Sequence, residues 1–251
     1  MSLDRHRQII DAVRQAGQLS VTRLAELTSA SEMTIRRDLD VLTEQGALRR
    51  YRGGARTVQL RGEETPFAVR AHERSDGKRR IAAALSEMIA DGEAVVLDSG
   101  TTCLEVAHAL TGRRLTVMPL SLHAVNALTS APQLRLLLPG GEPRPGELTM
   151  IGPLAEASLA ALRFDTAVIG CCGLTAEQGL TAFDLADAAI KRAAIGSSRR
   201  VIVVAEPAKL SRVALALVAP VSAVHVVVTT EDASDEDVHA LTTAGVVVER
   251  V

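Results

Sequence analysis

The chain has 251 residues, 47% hydrophobic and 23% charged, a balance that suits a globular protein of one or two domains. Aromatic residues make up only 2%, which excludes a surface that holds single-stranded nucleic acid by stacking its bases. The net charge of −2 conceals an asymmetry: residues 1–57 carry ten Arg against seven Asp and Glu, while residues 58–251 carry 18 basic against 23 acidic side chains, so only the head suits a polyanion.

In chain order, "DRHRQIIDAVRQAG" predicts a helix that turns Ile9, Ile10, Val13 and Ala16 to one side and stops at Gly17. A second helix begins at Ser20, a fitting N-cap, and presents Val21, Leu24 and Leu27 together. A third begins at Ser31, sets Ile35, Leu39 and Leu42 inward at i, i+4, i+7, and ends at Gly46. "ALRRYRGGA" then reads as a short strand and a glycine turn. Three such helices followed by a hairpin make a winged helix-turn-helix, residues 1–57, whose third helix enters the major groove.

Residues 58–76 are polar and broken by Pro66, and they read as a linker with some helix. From 77 to 251 amphipathic helices alternate with short Val/Leu runs: "AVVL", "LTVMPL", "LRLLLP", "TAVIG", "RVIVVA", "AVHVVVT" and "VVVE". That alternation predicts an α/β domain with a mostly parallel sheet covered on both faces. No run approaches the length of a membrane span, and the charged opening "MSLDRHRQII" does not read as a signal peptide. Three cysteines without metal-like spacing point to a reducing, cytoplasmic compartment, with Cys171 and Cys172 packed as small apolar groups. The six His are scattered, so no metal or cofactor is expected.

The arginines of the head have two readings. With Ile35, Leu39 and Leu42 inward, Thr34, Arg36 and Arg37 face outward on the half of the third helix that reaches base edges. Arg pairs bidentately with guanine or clamps a phosphate. Arg49, Arg50 and Arg52 then sit over the DNA backbone, with Gly53 and Gly54 allowing close approach. The alternative is a solvated ladder, because Glu32–Arg36 and Arg36–Asp40 both stand at i, i+4.

In the body, "DSGTT" (Asp98, Ser99, Gly100, Thr101, Thr102) lies between a strand and a helix, where backbone N–H groups and hydroxyls form an anion site. Gly140 and Gly141 in "PGGEPRPGE" and Gly173 in "GCCGL" mark two more strand-end loops, and such loops converge on one crevice. Lys191 and Lys209, two of only three lysines in the chain, are placed to supply a cation for a phosphate. The bland readings are helix capping by Ser99 and Thr101, and solvated surface lysines.

"SEMTIRRDLDVLTEQGALRRYRGGA" resembles the signature of the DeoR family of bacterial transcriptional regulators, with Arg36, Arg37, Asp38 and Leu39 matching residue by residue. In the body, Lys78-x-x-Ile81-Ala82, "LDSGTT", "LLPGGEPR", "GPLAEASL", "GLTAEQGLTAFDLADAAIKRAAI" and "AKL" resemble the family's sensor domain in order. The resemblance implies a ribose-5-phosphate-isomerase-like fold used as a sensor, and a phosphorylated sugar or related metabolite as effector. The chain departs from the family at Pro119 and Leu120, where the family has Thr-Asn, at Glu206 in place of an Asp, and at Thr229-Thr230 in place of Thr-Asp.

The resulting expectation is a regulator, a repressor, that binds operator DNA as a homodimer or homotetramer and answers to a sugar phosphate. Two rivals stand beside it. One is an isomerase-like enzyme fused to a DNA-binding head, with Asp98, Asp184 and Glu206 as acid/base groups. The other is a scaffold that binds DNA without an effector.

Overall fold

The computed structural model describes residues 2–44, 47–57 and 67–251. The chain divides into two compact units, residues 1–60 and 61–251.

In the first unit, α1 (Ser2–Ala16), β1 (Gln18–Ser20), α2 (Val21–Thr28), α3 (Glu32–Glu44), β2 (Leu48–Tyr51) and β3 (Gly54–Thr57) follow in turn. Ile9, Val13, Val21, Leu24, Ile35, Leu39, Leu42 and Leu48 close one core. The Ser20 hydroxyl accepts from the Arg23 N–H and caps α2. Ser29, in left-handed backbone at φ 51, turns the chain from α2 toward α3. Leu27 and Ala16, expected inward, are exposed. At α2 the apolar stripe is two residues wide, and the third position of the pattern has nothing left to pack against. Gly46, expected to end α3, lies outside the described residues. The hairpin is there, and β1 adds to it as a third strand in the order β1-β3-β2. Gly54 is fixed by that pairing, since a Cβ there would lie 2.2 Å from the Leu19 carbonyl oxygen. The glycine serves the sheet from within.

The second unit opens with α4 (Phe67–His72) and α5 (Ser75–Met88), so the described part of the expected linker is helical. Next come β4 (Ala94–Leu97), α6 (Thr101–Leu110), β5 (Thr116–Pro119), α7 (Leu122–Leu128), β6 (Arg135–Leu136), β7 (Glu142–Pro143), β8 (Met150–Ile151) and α8 (Pro153–Ala160). Then follow β9 (Phe164–Gly170), β10 (Gly173–Thr175), β11 (Gly179–Ala182), α9 (Leu185–Gly196), β12 (Ser198–Val204), β13 (Ala216–Ala219), β14 (Val226–Thr229), α10 (Asp235–Thr243) and β15 (Val247–Arg250). No helix among the described residues is long and apolar enough to cross a membrane.

Seven strands form one sheet in the order β15-β14-β12-β9-β4-β5-β6, every neighbouring pair parallel. Because strand side chains alternate, Val96, Ala167, Ile169, Val203 and Val227 face a core with α8, α9 and α10. Val95, Leu97, Val117, Val168, Ile202 and Val228 face a second core with α5, α6 and α7. Burial on both faces is why these strands read as unbroken Val/Leu runs. The expected strand over 134–139 pairs only at Arg135–Leu136, and Leu138 beyond it is exposed. Pro139 ends that edge, since proline gives no N–H to a ladder. A separate antiparallel sheet, β10-β11-β13, has no counterpart in the sequence reading. Its strands are three and four residues long, too short to show a period.

Candidate functional site

The first surface is α3 and the β2–β3 hairpin. Arg36 and Arg37 are exposed, and Thr34 is half-buried with its hydroxyl 2.8 Å from that of Ser31. Ser31 also accepts from the Thr34 N–H at 3.2 Å, which caps the helix as expected. Of the two intrahelical pairs, Glu32–Arg36 forms at 3.3 Å, with Arg36 still 61% exposed. An exposed pair of that kind contributes little and yields readily to a phosphate or a base. Asp40 instead pairs with Arg50 at 3.5 Å.

Arg50 also makes contacts within the head. The pleat puts it on the same side of β2 as buried Leu48, toward α3, where its Nη1 donates to the Arg36 carbonyl oxygen at 3.3 Å. Arg50 therefore braces the hairpin against the third helix. Arg49, Arg50 and Arg52 are all exposed, and Arg49 stands opposite Arg56 across the hairpin, which adds a cation the sequence reading passed over. Asp38, matched in the motif without a role, is buried and accepts from Arg5 Nε at 2.5 Å. The Arg5 bond holds the Asp38 carboxyl below the usual carboxylate range, with His6 adding to it.

The second site is a cleft at the carboxyl ends of β4, β9 and β12, which are neighbours in the sheet. Ser99, Gly100, Thr101 and Thr102 line it. Gly100 is the N-cap of α6 at φ 104, and no side chain caps that helix end. The capping reading of Ser99 and Thr101 is thus not what the structure contains. The first turn of a helix has no intrahelical acceptors for its N–H groups, so this end offers them to an anion.

Asp98 lies behind the cleft, fully buried; it accepts from the Gly170 N–H at 2.9 Å and from the Lys191 ammonium. Lys191 also pairs with Asp187 at 3.3 Å. Burial opposes its charge, but Asp187 and Asp98 together hold the Lys191 pKa above the ordinary lysine value. It lines the cleft, as expected, but already paired with these carboxylates. Lys209 differs: it lines the cleft, half-buried, and its ammonium makes no hydrogen bond or ion pair among the described residues. Burial, helped by Arg212, holds its pKa below the usual lysine value.

Gly140, Gly141 and Gly173 do not line this cleft. Gly140 packs on Leu154, while Gly141 and Gly173 lie close against the carbonyls of Ile151 and Arg212. Leu120, one of the departures from the family, is buried in the core and also outside the cleft lining, whereas Glu206 lines it. Asp184 caps α9 by accepting from the Asp187 N–H at 2.9 Å.

Sequence reasoning missed Arg70, Arg144 and Glu147 in the cleft wall. Arg144 and Glu147 flank the tight β7–β8 connection, and Arg70 comes from α4 across 77 residues of chain. No local pattern marks such a meeting. Cys103, Cys171 and Cys172 also line the cleft, and burial pushes the Cys171 thiol up to about 12.

Residues 5–60 match the DeoR-like helix-turn-helix domain, and residues 73–231 match the DeoR C-terminal sensor domain. The chain is 34% identical over 226 residues to the glycerol-3-phosphate regulon repressor of Escherichia coli (strain K12), covering 90% of this chain and 89% of that one. It is 36% identical over 228 residues to the transcriptional repressor AccR of Agrobacterium fabrum (strain C58 / ATCC 33970), covering 90% and 88%. Among solved structures, ribose 5-phosphate isomerase A from Methanocaldococcus jannaschii superposes with a TM-score of 0.42 at 14% identity over 55% of each chain, too loosely to carry an argument. Matched in its sensor domain over more than half its length and in its head, the chain belongs to the DeoR family of transcriptional regulators.

Proposed function

We propose that this regulator represses transcription by binding operator DNA through α3 and the β2–β3 hairpin, and that a phosphorylated sugar in the cleft controls that binding. One observation carries the effector reading. The uncapped end of α6, opened by a left-handed glycine, shares a cleft with Lys209, a cation paired with no carboxylate among the described residues. A phosphate monoester supplies the missing negative charge, and the carboxylates of Asp187 and Glu206 in the same lining suit sugar hydroxyls. The name of the Escherichia coli relative, a repressor of a glycerol-3-phosphate regulon, supports a phosphorylated polyol as the effector class.

Residues 1–57 act as the reader and 77–251 as the sensor. The sensor also assembles the chain into at least a dimer, because a two-fold operator needs two recognition helices one turn of DNA apart. We place the protein in the cytoplasm, where its operator lies. The body serves as a sensor and not a catalyst: two of the three acid/base groups, Asp98 and Asp184, are engaged with Lys191 and with the start of α9.

The test titrates ribose 5-phosphate, fructose 6-phosphate and glycerol 3-phosphate, each beside its unphosphorylated parent, against the complex of protein and operator. At least one phosphorylated compound should loosen or tighten the complex while its parent does nothing. A complex indifferent to all of them would overturn the sensor reading.

A further inference from the structure

Arg70 and Glu147 meet at the rim of the cleft. Arg70 Nη2 donates to Glu147 Oε1 at 2.5 Å, both side chains are largely buried, and both line the cavity. Their supports differ. Glu147 sits in the turn between β7 and β8, closed by the Arg144 N–H to the Thr149 carbonyl oxygen at 2.7 Å and the Leu148 N–H to the Arg144 carbonyl oxygen at 2.9 Å. Leu148 beside it takes left-handed backbone at φ 54, a conformation that persists in a leucine only where the surroundings impose it. Glu147 is thus a fixed acceptor.

Arg70 belongs to α4, a helix of six residues. Phe67 stacks on His123 of α7 with ring centroids 4.1 Å apart. The buried Lys78 ammonium donates to the carbonyl oxygens of Arg70 and, at 2.6 Å, of Glu73. That same ammonium stands 4.0 Å from Glu206, another cleft residue. The carboxyl end of α4 is therefore tied, through Lys78, to Glu206 of the cleft lining.

We infer that Arg70 is an effector-binding residue that exchanges Glu147 for the anionic group of the effector, and that this exchange moves α4. The inference rests on the proposed sugar-phosphate reading of the cleft. A guanidinium forks onto a phosphate as well as onto a carboxylate, and a dianion attracts it more strongly. A cleft that binds an anion holds the Glu147 carboxylate as its internal competitor while empty. In the chain, α4 is the first described element after the segment that leaves the DNA-binding unit, so a change of partner at Arg70 acts at the start of the sensor. The uncapped α6 end and Lys209 supply affinity for phosphate, and Arg70 supplies the report that it has arrived.

Calorimetric titration of the full-length protein with ribose 5-phosphate, fructose 6-phosphate, glycerol 3-phosphate and inorganic phosphate tests this, for wild type, Arg70→Ala and Glu147→Gln. Removal of a charge-assisted pair of bonds should weaken the best of these probes about 10- to 100-fold in Arg70→Ala. Glu147→Gln keeps the shape and removes the competitor, so it should tighten the same probe by about threefold or more and shift operator affinity toward the effector-bound value without any probe added. If wild type binds none of the four, both the cleft reading and this inference fail. If wild type binds one and Arg70→Ala binds it equally well, only the inference fails. If Glu147→Gln weakens binding, the pair is a plain clamp and the exchange is wrong, and this second variant decides the matter even should Arg70→Ala not fold.

Discussion

Asp38, in the middle of α3, is buried with Arg5 Nε 2.5 Å from one carboxylate oxygen and His6 Nε2 3.0 Å from the other. α3 is therefore fastened to α1 through a charge. Removing one partner of such a pair leaves the other unsatisfied, so Asp38→Asn should cost the head about 2 kcal/mol. Because the folded pKa of Asp38 lies below its unfolded value, its contribution is present above the unfolded carboxylate range and is lost as pH falls through the folded pKa. Acid denaturation of residues 1–60 should accordingly be less steep in Asp38→Asn than in wild type. Equal slopes would remove Asp38 from that role.

The arginines should separate into three kinds. Arg36→Ala or Arg37→Ala should cost about 1–3 kcal/mol of operator affinity and relax preference at one base pair. Arg49→Ala and Arg52→Ala should weaken all sequences alike and flatten the salt dependence by about one unit for each phosphate that is no longer neutralised. Arg50→Ala, which loses its bonds to Asp40 and the Arg36 carbonyl, should instead lower the melting temperature of the head. Salt-dependent binding and melting curves for all five, set side by side, decide the sorting.

Gly100→Val tests the anion loop. A Cβ at Gly100 meets nothing within 4 Å, so the body still folds, but φ 104 is costly for valine by about 1–3 kcal/mol and the turn must move. Effector response should vanish while operator affinity stays. A folded Gly100→Val that responds as wild type does would put the phosphate elsewhere.

Lys191 and Lys209 should part company. Lys191→Ala leaves Asp98 and Asp187 buried without their cation, a change that costs about 3–5 kcal/mol and should unfold the sensor at lower temperature. Lys209→Ala should leave melting nearly unchanged and weaken the effector response. Calorimetric melting read beside the operator titration separates the two, and equal behaviour would refute the assignment.

The thiols in the cleft should be unreactive. With its pKa pushed up to about 12, Cys171 is protonated at neutral pH, and only the thiolate attacks an alkylating agent. Iodoacetamide labelling at pH 8 should run far more slowly than at an ordinary thiol, whose pKa is about 8.5, and should climb as pH rises toward 12. Rapid labelling at pH 7 would show a thiolate that this environment does not hold.

The sequence by itself determined the elements and the polarity of the molecule. Helical period in "TIRRDLDVL" set Ile35, Leu39 and Leu42 inward and Arg36 and Arg37 outward, and doubly buried strands left their mark as unbroken runs such as "VIVV". Local chemistry was enough there, because turn residues and apolar spacing act over a few positions. The loop that opens α6 in the cleft was legible for the same reason, since Ser99 to Thr102 are contiguous. What only the tertiary structure decided was which groups share a charge. Lys191, expected as a cation for the effector, is paired with Asp98, 93 residues away. Arg50 of the hairpin reaches the Arg36 carbonyl and Asp40 of α3. Arg70, in a segment that read as linker, faces Glu147 across the cleft. Partners of this kind come from strand order and loop placement, which bring together residues whose separation in sequence carries no period. Coulomb energy depends on those distances and on burial, and neither is written in a string of residues.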